Sequence, residues 1–415
     1  MNVGFVSTRL AGTDGVSLET AKWANIISQF GLNCFFFAGE SDHPPDRSYV
    51  VPEAHFAHPA IQALNTDLFD NPTRAAETSL QTRKMAEHLK GHLYRFVRSF
   101  DIRLLIVENA LSLPVNVPLG LALTELIAET SLPTIAHHHD FYWERTRFAV
   151  TAASDYLRAA FPPALPSVHH VVINSFAAHQ LALRVGAGSL LIPNVMDFDS
   201  PPCEPDGHAV RLRSELGIAE DEYLLLQPTR IVPRKRIERA VELARRLGQR
   251  CALVISHTAG DEGSAYEDYL KQYAELLGVR LLLASNLIRH DRAGGPRGSL
   301  FFSLADAYQQ CNLVTYPSTV EGFGNAFLET IYYRRPIVMS TYEIFKTDIQ
   351  PKGFRVIGFD DFIDDRTVEQ ARQVLSDPGL AAEMVNHNYE LGARHYSYRI
   401  LERRLAVLLD QLLGA

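Results

Sequence analysis

Two glutamates, Glu321 and Glu329, stand eight positions apart, and Gly322, Phe323, Gly324 and Asn325 follow the first of them directly. Upstream, 312–316 reads as a short buried strand closed by Pro317; downstream, 326–333 is rich in helix formers until Pro336 stops them. A glycine turn between strand and helix presents backbone N–H groups with the positive end of the helix dipole behind them. Such a turn is an anion site and suits phosphate. Eight residues of helix rise ~12 Å and rotate by roughly 80°, so the two carboxylates cannot grip one small group. They suit the two ends of a long ligand with an anionic middle: hydroxyls at each end and a pyrophosphate over the glycine turn. A nucleotide sugar has that layout. Two solvated helix glutamates are the ordinary reading of such a pair; the glycine turn between strand and helix favours the ligand.

The segment resembles that of the retaining glycosyltransferases of family 4 (group 1), enzymes of GT-B architecture, which reads P-S-x-x-E-G-F-G-x-x-x-L-E-A-M. Pro317, Ser318, Glu321, Gly322, Phe323, Gly324, Leu328 and Glu329 match it. The resemblance implies that Glu321 contacts the donor sugar and Glu329 the ribose hydroxyls. It also implies that the amides of Gly322, Phe323, Gly324 and Asn325 hold the distal phosphate. Thr330 replaces a frequent alanine, Asn312 a common aspartate, and 331–336 a small-residue turn. These departures bear on subfamily rather than on chemistry, and Asn312 reads as structural.

Further candidates should follow strands, because ligands of two-domain α/β proteins lie at the carboxyl ends of strands, in the cleft between domains. Arg230 follows the apolar run 224–226, and Lys235 lies five residues on. Two fixed cations would neutralise a leaving diphosphate, a task for which the guanidinium fork is suited. The family's R-x-x-x-x-K segment matches these two positions and implies the same role, which Arg234 and Arg236 do not inherit. His137-His138-His139-Asp140 closes another strand. Three consecutive histidines on a strand cannot all face one site. Zinc is not expected, since adjacent residues rarely give tetrahedral ligation and no Cys or Glu cluster is evident. Relatives carry a histidine near the donor sugar here, which implies His139, or His138 if the register shifts by one. The turn 8–17 holds Gly12 and Gly15 before a helix, which permits close backbone approach and offers a second anion site, and the resemblance implies that Gly15 there approaches the donor phosphates. In relatives this loop also abuts the acceptor, which makes Arg9 and Asp14 acceptor candidates. The polar stretch 53–67, with His55, His58 and Asn65, reads either as an acceptor wall or as a solvated loop.

With 415 residues the chain can form two domains, each with its own core. Hydrophobic content of 47% and charged content of 21% are those of a soluble globular protein. A net charge of −8 gives no general drive towards nucleic acid. The four cysteines are scattered, without a Cys-x-x-Cys pair, which fits a reducing cytosol. The first ten residues are too short and polar for a signal peptide, and no apolar run reaches membrane-spanning length, so a cytoplasmic location is expected. Apolar runs at 3–7, 34–38, 104–108, 134–137 and 168–174 read as strands, with helical patterns at 17–30 and 82–100. The same alternation restarts at Tyr223, with a helix at 237–247 and strands at 252–256 and 280–284.

The expected fold is α/β: two Rossmann-like, doubly wound parallel-sheet domains facing across a cleft. Residues 1–195 form the acceptor-binding domain and 205–395 the nucleotide-sugar domain. The helix at 396–415 is one that GT-B relatives often return to the N-terminal domain. Between the domains, 192–202 is a proline-rich linker; Ile192, Pro193, Asn194 and Asp197 match the family's crossing segment, and Asp197 with Asp199 reads as a turn rather than a metal site. Met85, Leu89, Leu93 and Phe96 form an apolar stripe among basic residues, read as a helix packed on the sheet rather than on a membrane.

The expected activity is retaining hexosyl transfer from a UDP-, GDP- or ADP-sugar to the hydroxyl of a sugar-like acceptor, catalysed through Glu321, His139, Arg230 and Lys235. No cofactor and no metal is expected, because the cations and amides supply the positive field. Two other readings are a nucleotide-sugar 2-epimerase of the same fold and a non-catalytic, two-lobed sugar-binding protein. The second has no need of a phosphate site.

Overall fold

The computed structural model describes residues 1–12, 14–259, 264–289, 292 and 301–413. The chain divides into two units: Met1–Asn194 together with the chain from Leu401 onward, and Val195–Ile400.

The first unit is built on strands β1 (Asn2–Val6), β2 (Asn33–Ala38), β3 (Ser48–Val50), β4 (Ile102–Glu108), β5 (Thr134–His138), β6 (Val168–Val172) and β7 (Ser189–Leu191). They form one sheet in the order β3-β2-β1-β4-β5-β6-β7, every pair parallel. Val3, Phe5, Leu104, Leu105, Ile106 and Val107 are all fully buried, as the strands of a sheet covered on both faces must be. The helix Ala76–Ser99 buries Leu89, Leu93 and Phe96 in the same core, so the apolar stripe seen in the sequence is taken up by packing. Asn116 starts the helix Val117–Thr130 by accepting the Leu119 amide at 3.0 Å, while its own amide donates to Glu53 O and Ala54 O. β6 stops short of Asn174, which caps the next helix through the Ala177 amide at 2.7 Å. The closing helix Tyr398–Leu413 buries Leu401, Leu405 and Leu408, and Arg404 donates to Leu191 O at 2.7 Å.

In the second unit lie β8 (Tyr223–Gln227), β9 (Cys251–Ile255), β10 (Arg280–Leu283), a separate pair β11 (Ile288–Arg289) and β12 (Phe302–Ser303), then β13 (Leu313–Tyr316), β14 (Ile337–Ser340) and β15 (Ile357–Phe359). The main sheet runs β10-β9-β8-β13-β14-β15, again all parallel. β8 and β13 are neighbours, with Leu226 opposite Val314, although 85 residues of chain separate them. Asn312 helps to join them: its Oδ1 accepts the Leu224 amide at 2.8 Å. The linker acids are spent locally, Asp197 accepting the Ser200 amide at 3.3 Å and Asp199 pairing with Arg399 at 2.9 Å. No helix among the described residues is long and apolar enough to cross a membrane.

Packing at the end of β2 gives a direct test. A Cβ on Gly39 would lie 2.1 Å from the backbone nitrogen of His55, an atom that cannot swing aside as a side-chain tip can. Gly39→Ala should cost about 2 kcal/mol, read as a lower urea midpoint at unchanged slope. An unaltered midpoint would contradict this packing.

Candidate active site

The loops that follow β8 and β13 meet because their strands are adjacent. After β8 the chain makes a 3-10 turn, Pro233–Lys235, closed by the Lys235 amide on Val232 O at 2.9 Å. The Arg234 carbonyl accepts the Thr319 amide at 3.3 Å, which ties this turn to the loop after β13. Within the buried layer below, Thr315 donates to Gln227 at 2.8 Å and Gln227 to Thr229 at 2.7 Å.

Lys235 and Glu321 form a hydrogen-bonded ion pair, with 9% and 11% of their side chains exposed, and Arg234 Nη1 lies 3.6 Å from the other Glu321 oxygen. Lys235 Nζ also sits 5.4 Å above the ring of the buried Tyr316. Burial alone would raise the Glu321 carboxyl, yet the charges of Lys235 and Arg234 outweigh it and hold the group below its usual range. Burial lowers the Lys235 ammonium; Glu321 opposes that shift, whereas Arg234 and Arg230 add to it. Two cations, Lys235 and Arg234, thus stand against one carboxylate, and the charge of Arg230 acts on Lys235 from nearby. Arg230 is exposed and has no carboxylate partner among the described residues. An anion is what this cluster lacks.

Gly324 ends the loop with φ +109° and precedes the helix Asn325–Tyr332. A side chain there would be strained and would meet the Tyr342 hydroxyl at 2.3 Å. That hydroxyl donates to Phe323 O at 2.6 Å and holds the turn from below. Among the described residues no side chain caps this helix, nor those beginning at Ala76 and Ala265, whereas the helices beginning at Gly15, Val117 and Ser175 are capped by Asp14, Asn116 and Asn174. One turn on, Glu329 accepts from the buried Tyr308 hydroxyl at 2.8 Å.

In the first unit, β4 and β5 bring Glu108 against the histidines. Glu108 Oε2 lies 3.0 Å from His139 Nε2 and 2.9 Å from His137 Nδ1, all three residues being buried. His138 projects the other way and shares a 2.9 Å hydrogen bond with His170. Burial would raise Glu108, but the two imidazoles hold it down at about 2. His139 is raised, since Glu108 outweighs the burial that would lower it; burial lowers His137. The Glu cluster that the sequence did not show therefore exists. Glu108, His137 and His139 place their nitrogen and oxygen atoms within 4.8 Å of one another, the composition of a divalent-metal group. His139 Nε2 already occupies Oε2 through a hydrogen bond, and His137 Nδ1 faces the same oxygen, so the group reads as a hydrogen-bonded charge cluster.

The first turn differs from the expected anion site. Asp14 accepts the Val16 and Ser17 amides at 3.1 and 3.2 Å and pairs with Arg9 at 3.0 Å. The amides beyond Gly15 are thus filled from within the chain, by the helix's own cap. Thr13 of this turn lies outside the described residues. Arg9 also lies 5.2 Å from the centre of the Phe56 ring, and His55 sits 3.4 Å from Glu40. Beyond β5, a cavity of 450 Å³ is lined by Tyr142, Glu144, Arg145, Arg158 and Arg184, among others. Burial and Asp140 push the Glu144 carboxyl up to about 7.

Two residues of these clusters escape a reading by sequence. Arg234 does not match the family segment, and only the 3-10 turn brings it to Glu321; Arg236 turns away, to Asp361 at 3.2 Å. Glu108 left one faint signal, an acid at the end of the apolar run 104–107.

No known family model matches the sequence. A mannosylglucosylglycerate synthase of Thermotoga maritima is 33% identical over 438 aligned residues, spanning 97% of this chain and 98% of that protein. The chain belongs to the mannosylglucosylglycerate synthase family of glycosyltransferases. Among solved structures, the sucrose-phosphate synthase of Thermosynechococcus elongatus superposes with a TM-score of 0.70 at 15% identity, covering 100% of this chain and 99% of that one. Anabaena HepE, solved in complex with UDP and glucose, gives 0.65 at 13% identity, covering 99% of this chain and 100% of that one. At such identities the likeness is one of fold, and this glycosyltransferase has the GT-B fold.

The His138–His170 pair makes stability depend on pH. Burial pulls His170 down to about 4 and His138 well below its ordinary value. A neutral buried histidine stabilises the fold fully above the unfolded value, near 6.5, and that contribution is lost as pH falls towards the folded one. For His170 the loss between pH 7 and 4 amounts to about 3 kcal/mol. His170→Gln should lose correspondingly less stability than wild type over this range in urea titrations. Parallel losses in the two proteins would refute the assignment.

Proposed function

We propose that this glycosyltransferase moves a mannosyl group from a nucleoside diphosphate mannose to glucosylglycerate, with retention at the anomeric carbon. The sugar and acceptor come from the name of the Thermotoga maritima relative. The donor class is supported by the observation that carries the proposal: Lys235 and Arg234 meet one carboxylate, Glu321, with the charge of Arg230 close to Lys235, beside the glycine turn that opens the helix Asn325–Tyr332. The HepE complex supports a nucleotide guest for this fold.

In this reading the donor diphosphate lies against Arg230, Lys235 and the turn Gly322–Asn325, and Glu329 takes the ribose hydroxyls. Glu321, held by Lys235, accepts from the hydroxyls of the mannosyl ring, and His139 is the histidine that the family 4 resemblance assigns to the donor sugar. The bond between the anomeric carbon and the diphosphate oxygen breaks while cations and amides take up the charge that develops on that oxygen. The acceptor hydroxyl attacks on the same face, and its proton passes to the departing diphosphate oxygen. The protein's own cations provide the positive field, as in the family 4 enzymes that the sequence resembles. The acceptor is a sugar acid and meets the first unit, where Arg9 and the arginines around the cavity beyond β5 are the cations suited to its carboxylate.

Incubation with nucleoside diphosphate mannose and glucosylglycerate should give a product heavier by one hexose residue, with the donor's anomeric configuration in its NMR spectrum. Donor cleavage that ignores the acceptor would point instead to an epimerase. Lys235→Ala and Glu321→Ala should each lower kcat at least ~10²-fold. They should remain folded but destabilised by about 3 kcal/mol, because Glu321→Ala leaves the buried Lys235 charge unpaired and Lys235→Ala leaves Glu321 with Arg234 alone. Near-normal turnover by either variant removes that residue from the mechanism. Glucosylglycerol, the uncharged analogue, should show a KM roughly 10-fold or more above that of glucosylglycerate, since it lacks a charge-assisted contact. Equal KM values would rule out recognition of the carboxylate.

A further inference from the structure

Glu108 ends β4 with no exposed surface, in register with His137 on β5. Nothing in the surrounding apolar core calls for an acid, and an ionised carboxylate in such a place is costly unless it is matched by charge. Its match is the pair of imidazoles at 2.9 and 3.0 Å. The next residue, Asn109, adopts φ +58° and turns its side-chain oxygen onto the amides of His139 and Asp140, at 2.8 and 3.4 Å. Ser7 Oγ donates to the Glu108 carbonyl at 3.1 Å. The end of β4 thus fixes both the backbone and the ring of His139.

The other charged groups nearby are accounted for. From the helix Gly15–Gln29, Trp23 stacks on His137 at 4.2 Å, and Glu19, also buried, takes the Lys22 ammonium at 2.5 Å. Asp140 pairs with Arg145 at 2.6 Å. Glu108 remains as the carboxylate in contact with His139. Of the three consecutive histidines, His139 is 8% exposed and the other two 1% each, so it is the one that reaches the surface.

We propose that Glu108 is a positioning residue for transfer: by accepting the His139 Nε2–H it locks the ring and its tautomer and leaves Nδ1 as the nitrogen that meets the donor. The proposal rests on the reading that His139 faces the donor sugar. With Glu108, Glu19 and Asp140 all favouring the imidazolium, His139 offers Nδ1–H as a donor until the pH rises past its raised titration point. Activity is then lost on the alkaline side.

Two measurements test this. In the wild-type protein, ¹⁵N NMR of labelled histidines above the titration point of His139 should show a proton on Nε2 and a bare Nδ1. The opposite tautomer overturns the proposal without any variant. Glu108→Gln keeps an acceptor oxygen of the same reach but removes the charge. It should lower kcat roughly 10- to 100-fold, leave the KM for the donor nearly unchanged, and move the alkaline limb of the pH–rate profile down by about one unit or more. Glu108→Asp should restore part of that shift. A Glu108→Gln enzyme with wild-type kcat and an unmoved limb overturns the proposal, whatever its ring titration shows. His139→Ala with full activity would instead refute the donor-facing reading of His139, and the tautomer measurement separates that failure from a failure of Glu108.

Discussion

An imbalance of charge at the ends of β8 and β13 is the constraint on which the second unit turns. Lys235 and Glu321 neutralise one another, yet Arg234 and Arg230 remain beside them, with Lys235 and Glu321 nearly buried. Uncompensated charge close to a low-dielectric interior is costly, and a protein retains it where a partner is to arrive. A diphosphate carries the compensating charge. The helix that starts at Asn325 adds its dipole in the same sense. The rest of the local structure holds this arrangement in place: the 3-10 turn that swings Lys235 inward, the left-handed Gly324, and the buried phenols of Tyr316, Tyr342 and Tyr308 beneath the loop.

The first unit uses the same device with different chemistry. There, too, polar groups sit at the carboxyl ends of neighbouring strands, and the strand register joins residues remote in sequence: Glu108 on β4 and His139 just past β5. In each unit a carboxylate at or beyond a strand end, buried or nearly so, is made tolerable by a partner from the neighbouring strand's end: the His137 and His139 imidazoles for Glu108, and Lys235 for Glu321. Tying the loops after β8 and β13 to one another and to adjacent strand ends limits their motion, which transfer without loss of the activated sugar to water requires.

How much of this could be read from the sequence follows from the range of each interaction. The glycine turn and the flanking glutamates are local, so Glu321, Gly324 and Glu329 were visible at once, and the apolar runs located most of the long strands. The strands β3, β7 and β15, of three residues each, carry too little pattern to be recognised. Glu108 was missed because its partners lie some thirty positions away and meet it only through strand pairing. Arg234 was missed because a turn, not a helical or strand period, sets its direction. At the first turn the internal use of Asp14 was not foreseen. Asp14 looks the same whether it awaits an acceptor or caps its own helix, and here it does the second. Local propensity cannot separate those two uses of an aspartate.

The most direct test of the central claim is a crystal structure of the protein with a nucleoside diphosphate bound. The account requires phosphate oxygens within about 3 Å of Lys235 Nζ and of the Arg230 guanidinium, with the distal phosphate against the amides of the turn that Gly324 closes. A nucleotide bound elsewhere, with these cations turned from its phosphates, would contradict it.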